Sequence, residues 1–294
     1  MVLLGGTSSE REVSLRSGKA VVEALKATGN EVIEYDPADG YEGLAQYAGK
    51  VECVLPILHG RGGEDGVIQE QLEKYGFKYL GADVKASRRC ADKAEFKKEI
   101  QRAGILTPEW AVVARETLGK SDLSQQPHVL KAIDGGSTID TFIARDPAVP
   151  PYQPDIFDKY PSMLLEELVE GVEITVGILG DKALPILEII PPPGGEFDYE
   201  NKYNGASQEL YPPPHVSEDK QQEAQRLAEK VHQTCGVRHL SRTDMMIDKS
   251  GKIYVIELNT IPGLTPQSLY PKEAAAAGLS MEDLVQQFLE LVTS

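Results

Sequence analysis

The stretch Ser241–Pro262, SRTDMMIDKSGKIYVIELNTIP, decides how the rest of the chain is read. Two apolar runs flank Ser250-Gly251, which predicts a β-hairpin closed by a two-residue loop. In that register Asp244 faces Glu257 and Arg242 faces Asn259. Side chains alternate along a strand, so all four project from one face. Two carboxylates and an amide oxygen are hard ligands suited to Mg²⁺, above all where substrate phosphates share the ion. An arginine beside them offers a planar cation to an anionic intermediate. A solvated face with ordinary cross-strand ion pairs is the plainer reading, but Asn259 adds little to such a face.

Upstream of the hairpin, Ser217 is expected to cap a helix that carries Ala224, Leu227, Ala228, Val231 and Cys235 on one face, with Gly236 after its end. Before it, an irregular stretch runs from Pro191-Pro192-Pro193-Gly194-Gly195 to Pro212-Pro213-Pro214. A loop of that length inside a compact domain reads as a lid. Met163–Val169 and Glu173–Leu179 are apolar strands flanking Gly171, with Glu166 and Glu173 bracketing a hairpin-like turn. A strand at His128–Ile133 leads into the glycine and hydroxyl loop Gly135-Gly136-Ser137-Thr138, and a Lys- and Glu-rich helix covers Asp92–Arg102.

The first third alternates. Strands are expected at Val2–Leu4, Glu31–Tyr35, Cys53–Leu58 and Lys78–Leu80, with a helix through Leu15, Val21, Val22 and Leu25 that Gly29 stops, and another at Val67–Lys74. Strand–helix alternation implies a parallel, Rossmann-like sheet covered by helices. Ligands of such sheets sit beyond the strand ends, where Gly5–Ser9 and His59–Gly66 fall, although neither is a dinucleotide fingerprint.

Composition narrows the functions. At 294 residues the chain is long enough for two or three domains, and 41% hydrophobic with 26% charged residues is ordinary for a globular protein. Thirty basic against 46 acidic residues give a net charge of −16, which repels phosphate backbones and argues against nucleic-acid binding. ATP remains open, since a nucleotide needs only local cations. No apolar run reaches the ~18 residues of a membrane span. MVLLGGTSSERE lacks the basic start and cleavage site of a signal peptide. Cys53, Cys90 and Cys235 are too scattered for a zinc site or disulfide framework, and a reducing cytoplasm is the expected setting.

Other charged residues carry weaker signals. Lys93 and Lys131 could meet phosphates, and Glu166 and Glu173 could meet adenine and ribose, although each alone reads as an exposed charge. Taken together, GGTSSEREVSLRSG, HGRGGEDG, EGVEITVGILG, DYENKY, RTD and ELNTIPGLTPQSLYP, in that order, resemble the D-alanine–D-alanine ligases of the ATP-grasp superfamily. The resemblance covers essentially the whole chain.

That resemblance implies a mixed α/β and α+β fold, a Rossmann-like N-terminal domain followed by a two-lobed ATP-grasp fold. The corresponding boundaries are 1–87 for the substrate domain, 88–168 for the central lobe and 169–294 for the lobe with metal site and lid. It implies an ATP-dependent ligase joining two D-alanines through an acyl phosphate for peptidoglycan, cytoplasmic and homodimeric, without nucleic-acid or membrane partners. Two Mg²⁺ (or Mn²⁺) ions would be held by Asp244, Glu257 and Asn259, with Arg242 on the acyl phosphate. Lys93, Lys131 and Lys202 would grip phosphates, while Glu166, Val169 and Glu173 would contact adenine and ribose. Glu12 would anchor the first substrate's ammonium, His59 would orient it, and Ser137 and Tyr203 would link to Glu12 over the closed site. Gly263, Ser268 and Leu269 would bind the second substrate. The chain departs from the family in the loop after Lys131, where Asp140 replaces a usual glycine and brings negative charge near the phosphates, and at Glu167, which replaces a common lysine. A ligase using D-lactate, D-serine or another acceptor is the alternative reading, and a catalytically weak nucleotide-binding relative is a further one.

Overall fold

The computed structural model describes residues 1–136, 140–192 and 207–294. Strands β1 (Val2–Leu3), β2 (Glu34–Tyr35) and β3 (Leu55–Pro56) form a parallel sheet in the order β2-β1-β3. The helix Arg11–Ala27 follows β1 and buries Val13, Val21, Val22 and Leu25. It approaches so closely that a Cβ on Gly18 would lie 2.4 Å from that of Leu4, so only glycine fits there. The strand expected at Lys78–Leu80 shrinks to a single parallel bridge, Val54 to Tyr79. Gly76 and Gly81, at φ +73° and +95°, turn the backbone on either side and leave no room for a longer ladder.

The other two sheets are antiparallel. Strands β4 (Trp110–Val113), β5 (His128–Lys131), β6 (Thr141–Ala144) and β7 (Met163–Glu167) pair in the order β4-β7-β5-β6. Strands β8 (Gly171–Leu179), β9 (Lys182–Ala183), β10 (Leu187–Ile190), β11 (Gln208–Leu210), β12 (Leu240–Asp248) and β13 (Ile253–Asn259) form a larger sheet, β11-β10-β8-β12-β13, with β9 on β8. The turn between Glu166 and Glu173 is therefore not a hairpin: β7 and β8 belong to different sheets. Leu168 N still donates to Pro127 O at 3.1 Å, whereas Gly171 already pairs with Asp248. Of the stretch expected to be irregular from Pro191 to Pro214, Gln208–Leu210 is a strand on β10 and residues 193–206 lie outside the described residues.

The β12–β13 hairpin departs from its expected form in two ways that cancel. Its loop has three residues, Lys249–Gly251, closed by Asp248 N to Lys252 O at 2.9 Å, with Gly251 at φ +83°. A bulge between Asp244 and Met245 then shifts the register, so that Met245 faces Val255 while Asp244 still faces Glu257 and Arg242 faces Asn259. The functional pairs are those read from the sequence.

Helices fill the remaining faces. Glu218–Thr234 buries Ala224, Ala228 and Val231 against Ile174, Val176, Met245 and Val255 of the larger sheet. Ser217 stands at its N-cap, but its side chain makes no capping bond. The last helix, Met281–Thr293, is started by a Ser280–Asp283 capping box and packs Leu284, Val285 and Phe288 into the core containing Val2, Val21 and Val22. The C-terminal segment thus returns to the N-terminal sheet, and each such side chain stabilises by about 2 kcal/mol. Among the described residues, no helix is long and apolar enough to cross a membrane.

Candidate active site

A cleft of about 560 Å³ opens between the two antiparallel sheets, and Lys93, Lys131, Glu166, Val169, Glu173, Asp244 and Glu257 all line it. Lys93 is the first residue of the helix Lys93–Arg102, which Asp92 caps by accepting from Ala94 N and Glu95 N at 2.9 Å. The cap sets the lysine at the cleft, where Nζ donates to Gly135 O and lies 3.9 Å from Glu257. Burial lowers its pKa, with Glu257 opposing.

One turn further along, Lys97 is completely buried, 2.6 Å from Glu166 Oε1 and 2.5 Å from Thr107 Oγ1. Thr107 in turn donates to Val255 O of β13 at 2.8 Å. Lys131 approaches the other oxygen of Glu166 at 2.7 Å. Burial alone would raise Glu166, but Lys131 and Lys97 outweigh it and hold the carboxyl below its ordinary range, while burial lowers Lys97 to about 8. Sequence reasoning placed Glu166 opposite adenine and overlooked Lys97. The signal was a lysine at i+4 from Lys93 on the buried side of a charged helix. Glu188 and His215 also line the cleft and were not anticipated; His215 Nδ1 lies 2.5 Å from Glu188 Oε1.

At the inner end lies the hairpin face. Asp244 Oδ1 accepts from Thr175 Oγ1 at 2.7 Å and from Arg242 Nε at 2.9 Å; its Oδ2 accepts from Arg242 Nη2 at 2.7 Å and Asn259 Nδ2 at 3.4 Å. Burial opposes the charge of Arg242, but Asp244 more than compensates and raises its pKa. Among the described residues, no three His, Cys, Asp or Glu side chains converge as a complete metal shell. Two carboxylates and an amide form an oxygen-only partial set, which fits a hard cation whose other ligands are phosphate and water.

Two smaller chambers of about 100 Å³ each adjoin this face. Glu257 and Asn259 line both, and Glu257 lines the large cleft as well. His59, Arg242, Gly263, Ser268 and Leu269 line the first chamber. His59 Nε2 lies 3.2 Å from Ser17 Oγ, and burial lowers the imidazole to about 4, so it is neutral at pH 7. Ser268 Oγ accepts from Thr265 N at 3.1 Å and does not cap the helix Leu269–Ala276 that follows.

Glu12 lies on the exposed side of its helix and does not line the chambers. The buried side of the first helix runs through Val13, Ser14, Ser17 and Val21, which turns Glu12 to solvent. Glu10 lines the first chamber instead, 6% exposed. It precedes the helix without capping it, and its Oε2 occupies the space that a Cβ on Gly60 or Gly136 would need, at 2.5 and 2.6 Å. Glu64, also overlooked, accepts from Gly60 N at 2.6 Å; burial and then Glu10 push it up to about 8. Ser137, Lys202 and Tyr203 lie outside the described residues.

The charge of Asp140 is turned away from the cleft. Its Oδ2 accepts from Lys159 Nζ and Tyr160 OH, both at 2.6 Å, and it adopts φ +52°, a conformation aspartate tolerates better than most residues.

A cleft clamped between two antiparallel sheets, beside an oxygen-ligand face and a small acidic chamber, defines a nucleotide clamp of the ATP-grasp class. A family model described as D-ala D-ala ligase C-terminus matches residues 100–290. D-alanine–D-alanine ligases of Nitratidesulfovibrio vulgaris (strain DP4) and Syntrophotalea carbinolica are 36% and 39% identical, covering 99% and 98% of this chain and 97% and 94% of the relatives. The crystal structure of the Bacillus anthracis ligase matches with a TM-score of 0.83 at 30% identity, covering 99% of this chain and 96% of that one. The same enzyme complexed with ATP matches at 0.81 and 27%, with the same coverage. The chain belongs to the D-alanine–D-alanine ligase family.

Proposed function

We propose that the protein joins two D-alanines at the expense of ATP, in the reducing cytoplasm and as a homodimer, for peptidoglycan precursor synthesis. The observation that carries this reading is Glu257, which borders the large cleft and both small chambers. ATP lies in the cleft with Lys93 and Lys131 near its phosphates and Val169 and Glu173 toward the base and ribose. The amino acids occupy the chambers. The carboxylate oxygen of the first D-alanine attacks the γ-phosphorus, ADP leaves, and an acyl phosphate forms. The neutral amine of the second D-alanine attacks the acyl carbon, the C–O bond to phosphate breaks, inorganic phosphate departs with that oxygen, and the nitrogen gives up its surplus proton to the departing phosphate or to water. Positioning and charge neutralisation dominate such a transfer. Arg242 faces the anionic oxygens of the acyl phosphate and then of the tetrahedral intermediate.

Asp244, Glu257 and Asn259 would hold two Mg²⁺ ions, which supply charge neutralisation on the phosphates. Glu10, with Glu64 beside it, holds the first ammonium in place of Glu12, and Ser268 with the start of its helix receives the second carboxylate. The three sheets support a division into 1–87, 88–168 and 169–294, with the last helix packed back on the first unit.

The test is phosphate release from ATP with D-alanine, set against L-alanine, D-serine and D-lactate, with products identified by mass. D-Alanyl-D-alanine as the main product is expected. A preferred ester or mixed dipeptide would move the protein to a sister activity, and no amino-acid-dependent release would refute ligation.

A further inference from the structure

Glu273 is a buried acid for which the reaction outlined above has no use. It is 0% exposed, burial pushes it well above the usual carboxylate range, and among the described residues no side chain donates a hydrogen bond to it, the backbone N–H of Gly177 being the group set against it. Its place in the fold is specific. Arg242 and Gly177 are register partners on β12 and β8, and partners in an antiparallel pair project from the same face. The missing side chain of Gly177 leaves a gap on that face, and Glu273 Oε2 fills it, 2.6 Å from where a Cβ would stand. The carboxyl of Glu273 therefore lies next to the position from which Arg242 projects. Leu269, one helical turn earlier, lines the small chamber.

Arg242 currently spends Nε and Nη2 on Asp244. A cation on Asp244 would compete for the same oxygens. The acids that act most strongly on Arg242 are Asp244, Glu273 and Glu257, with Glu64 also in reach; Asp244 and Glu257 belong to the cation, which leaves Glu273 as the strongest of the others. We propose that Glu273 is a positioning residue, an acceptor that holds the Arg242 guanidinium when a divalent cation takes Asp244. This rests on the reading of Asp244 as a metal ligand. The exchange keeps the arginine fork on the substrate side and spares it from being buried without a partner.

The experiment measures Mn²⁺ binding in the presence of ADP, by paramagnetic resonance of free Mn²⁺, for wild type, Glu273→Gln, Glu273→Leu and Asp244→Asn. Melting without metal or nucleotide is recorded alongside. Glu273→Leu should weaken Mn²⁺ binding roughly tenfold. Glu273→Gln, which keeps one acceptor oxygen, should lose less, and neither should lower the metal-free melting temperature. If Glu273→Leu fails to fold, the glutamine variant decides the matter by the same criterion. Weakened binding in Asp244→Asn with wild-type affinity in both Glu273 variants would overturn the role of Glu273 and leave the metal site standing. Unchanged affinity in all three would remove the metal reading of Asp244, and this proposal with it. Lower melting with unchanged Mn²⁺ affinity would make Glu273 a packing group only.

Discussion

Two buried charge clusters lie on opposite walls of the cleft, and they are built differently. Around Glu166, one carboxylate is shared by Lys97 and Lys131 at 2.6 and 2.7 Å, and Thr107 ties Lys97 to the β13 backbone. That cluster is satisfied from within and spans the two lobes. Around Asp244, the arginine fork, a threonine and an amide all converge on one carboxylate, with Glu257 and Glu273 nearby. In that cluster Arg242 and Lys93 face Asp244 and Glu257 at the cleft, and burial pushes Glu273 well above the usual carboxylate range. Lys97 and Thr107 give the first a structural part beneath Lys131, which lines the cleft, while the second is suited to exchange partners with ligands.

Substitutions should separate the two. Asp244→Ala or Glu257→Ala should reduce D-alanine-dependent phosphate release by about a thousandfold or more while the circular dichroism stays that of the folded protein, although Asp244→Ala also lowers the melting temperature because Arg242 loses its two-point partner. Wild-type turnover in both would erase the distinction. Arg242→Lys should lower kcat by roughly a hundredfold, because an ammonium cannot span two anionic oxygens as a guanidinium does. Weakened ATP binding with normal kcat would make Arg242 a nucleotide ligand instead. On the other wall, Lys97→Met should cost about 3 kcal/mol of stability, because Glu166 loses one of two buried partners. Denaturant titration checks this; a loss of activity without a loss of stability would contradict it.

The acidic chamber adds a pH signature. Glu64 sits near 8 in the fold against an ordinary value of 4.5, so between these values the folded state retains a proton that the unfolded chain has released. Stability should therefore fall as pH rises from about 5 to about 8, by roughly 3 to 4 kcal/mol, and Glu64→Gln should flatten the slope. Parallel melting curves for the two proteins across that window would disprove the raised value. The smallest effect expected is on substrate affinity. Glu10→Ala should raise KM for the first D-alanine about tenfold, while Glu12→Ala stays within about twofold. The reverse pattern would restore Glu12.

Much of this was legible beforehand, for identifiable reasons. A two-residue loop predicts the Arg242–Asn259 and Asp244–Glu257 pairs that a three-residue loop forms, because the bulge beyond Asp244 restores the register at the functional end. Sequence periodicity sees neither a bulge nor a three-residue loop. Glu10 and Glu12 flank Arg11 in SEREVS, and choosing between them depends on where the helix begins, which local composition leaves open by a residue or two. Lys97 looked like one more charge on a charged helix; its burial depends on Glu166, which is distant in sequence. The link between β7 and β8 reads like a turn because a glycine-bearing break between apolar runs looks the same whether the strands pair or cross to another sheet.

A D-alanine carboxylate activated as an acyl phosphate, where the cleft and chambers meet at Glu257, must pass one of its own oxygens to phosphate. D-Alanine labelled with ¹⁸O in its carboxylate, incubated with ATP and the wild-type enzyme, tests it directly. One labelled oxygen should appear in inorganic phosphate for each dipeptide formed, since the oxygen that attacked phosphorus leaves with it. Dipeptide formed with unlabelled phosphate would contradict the account.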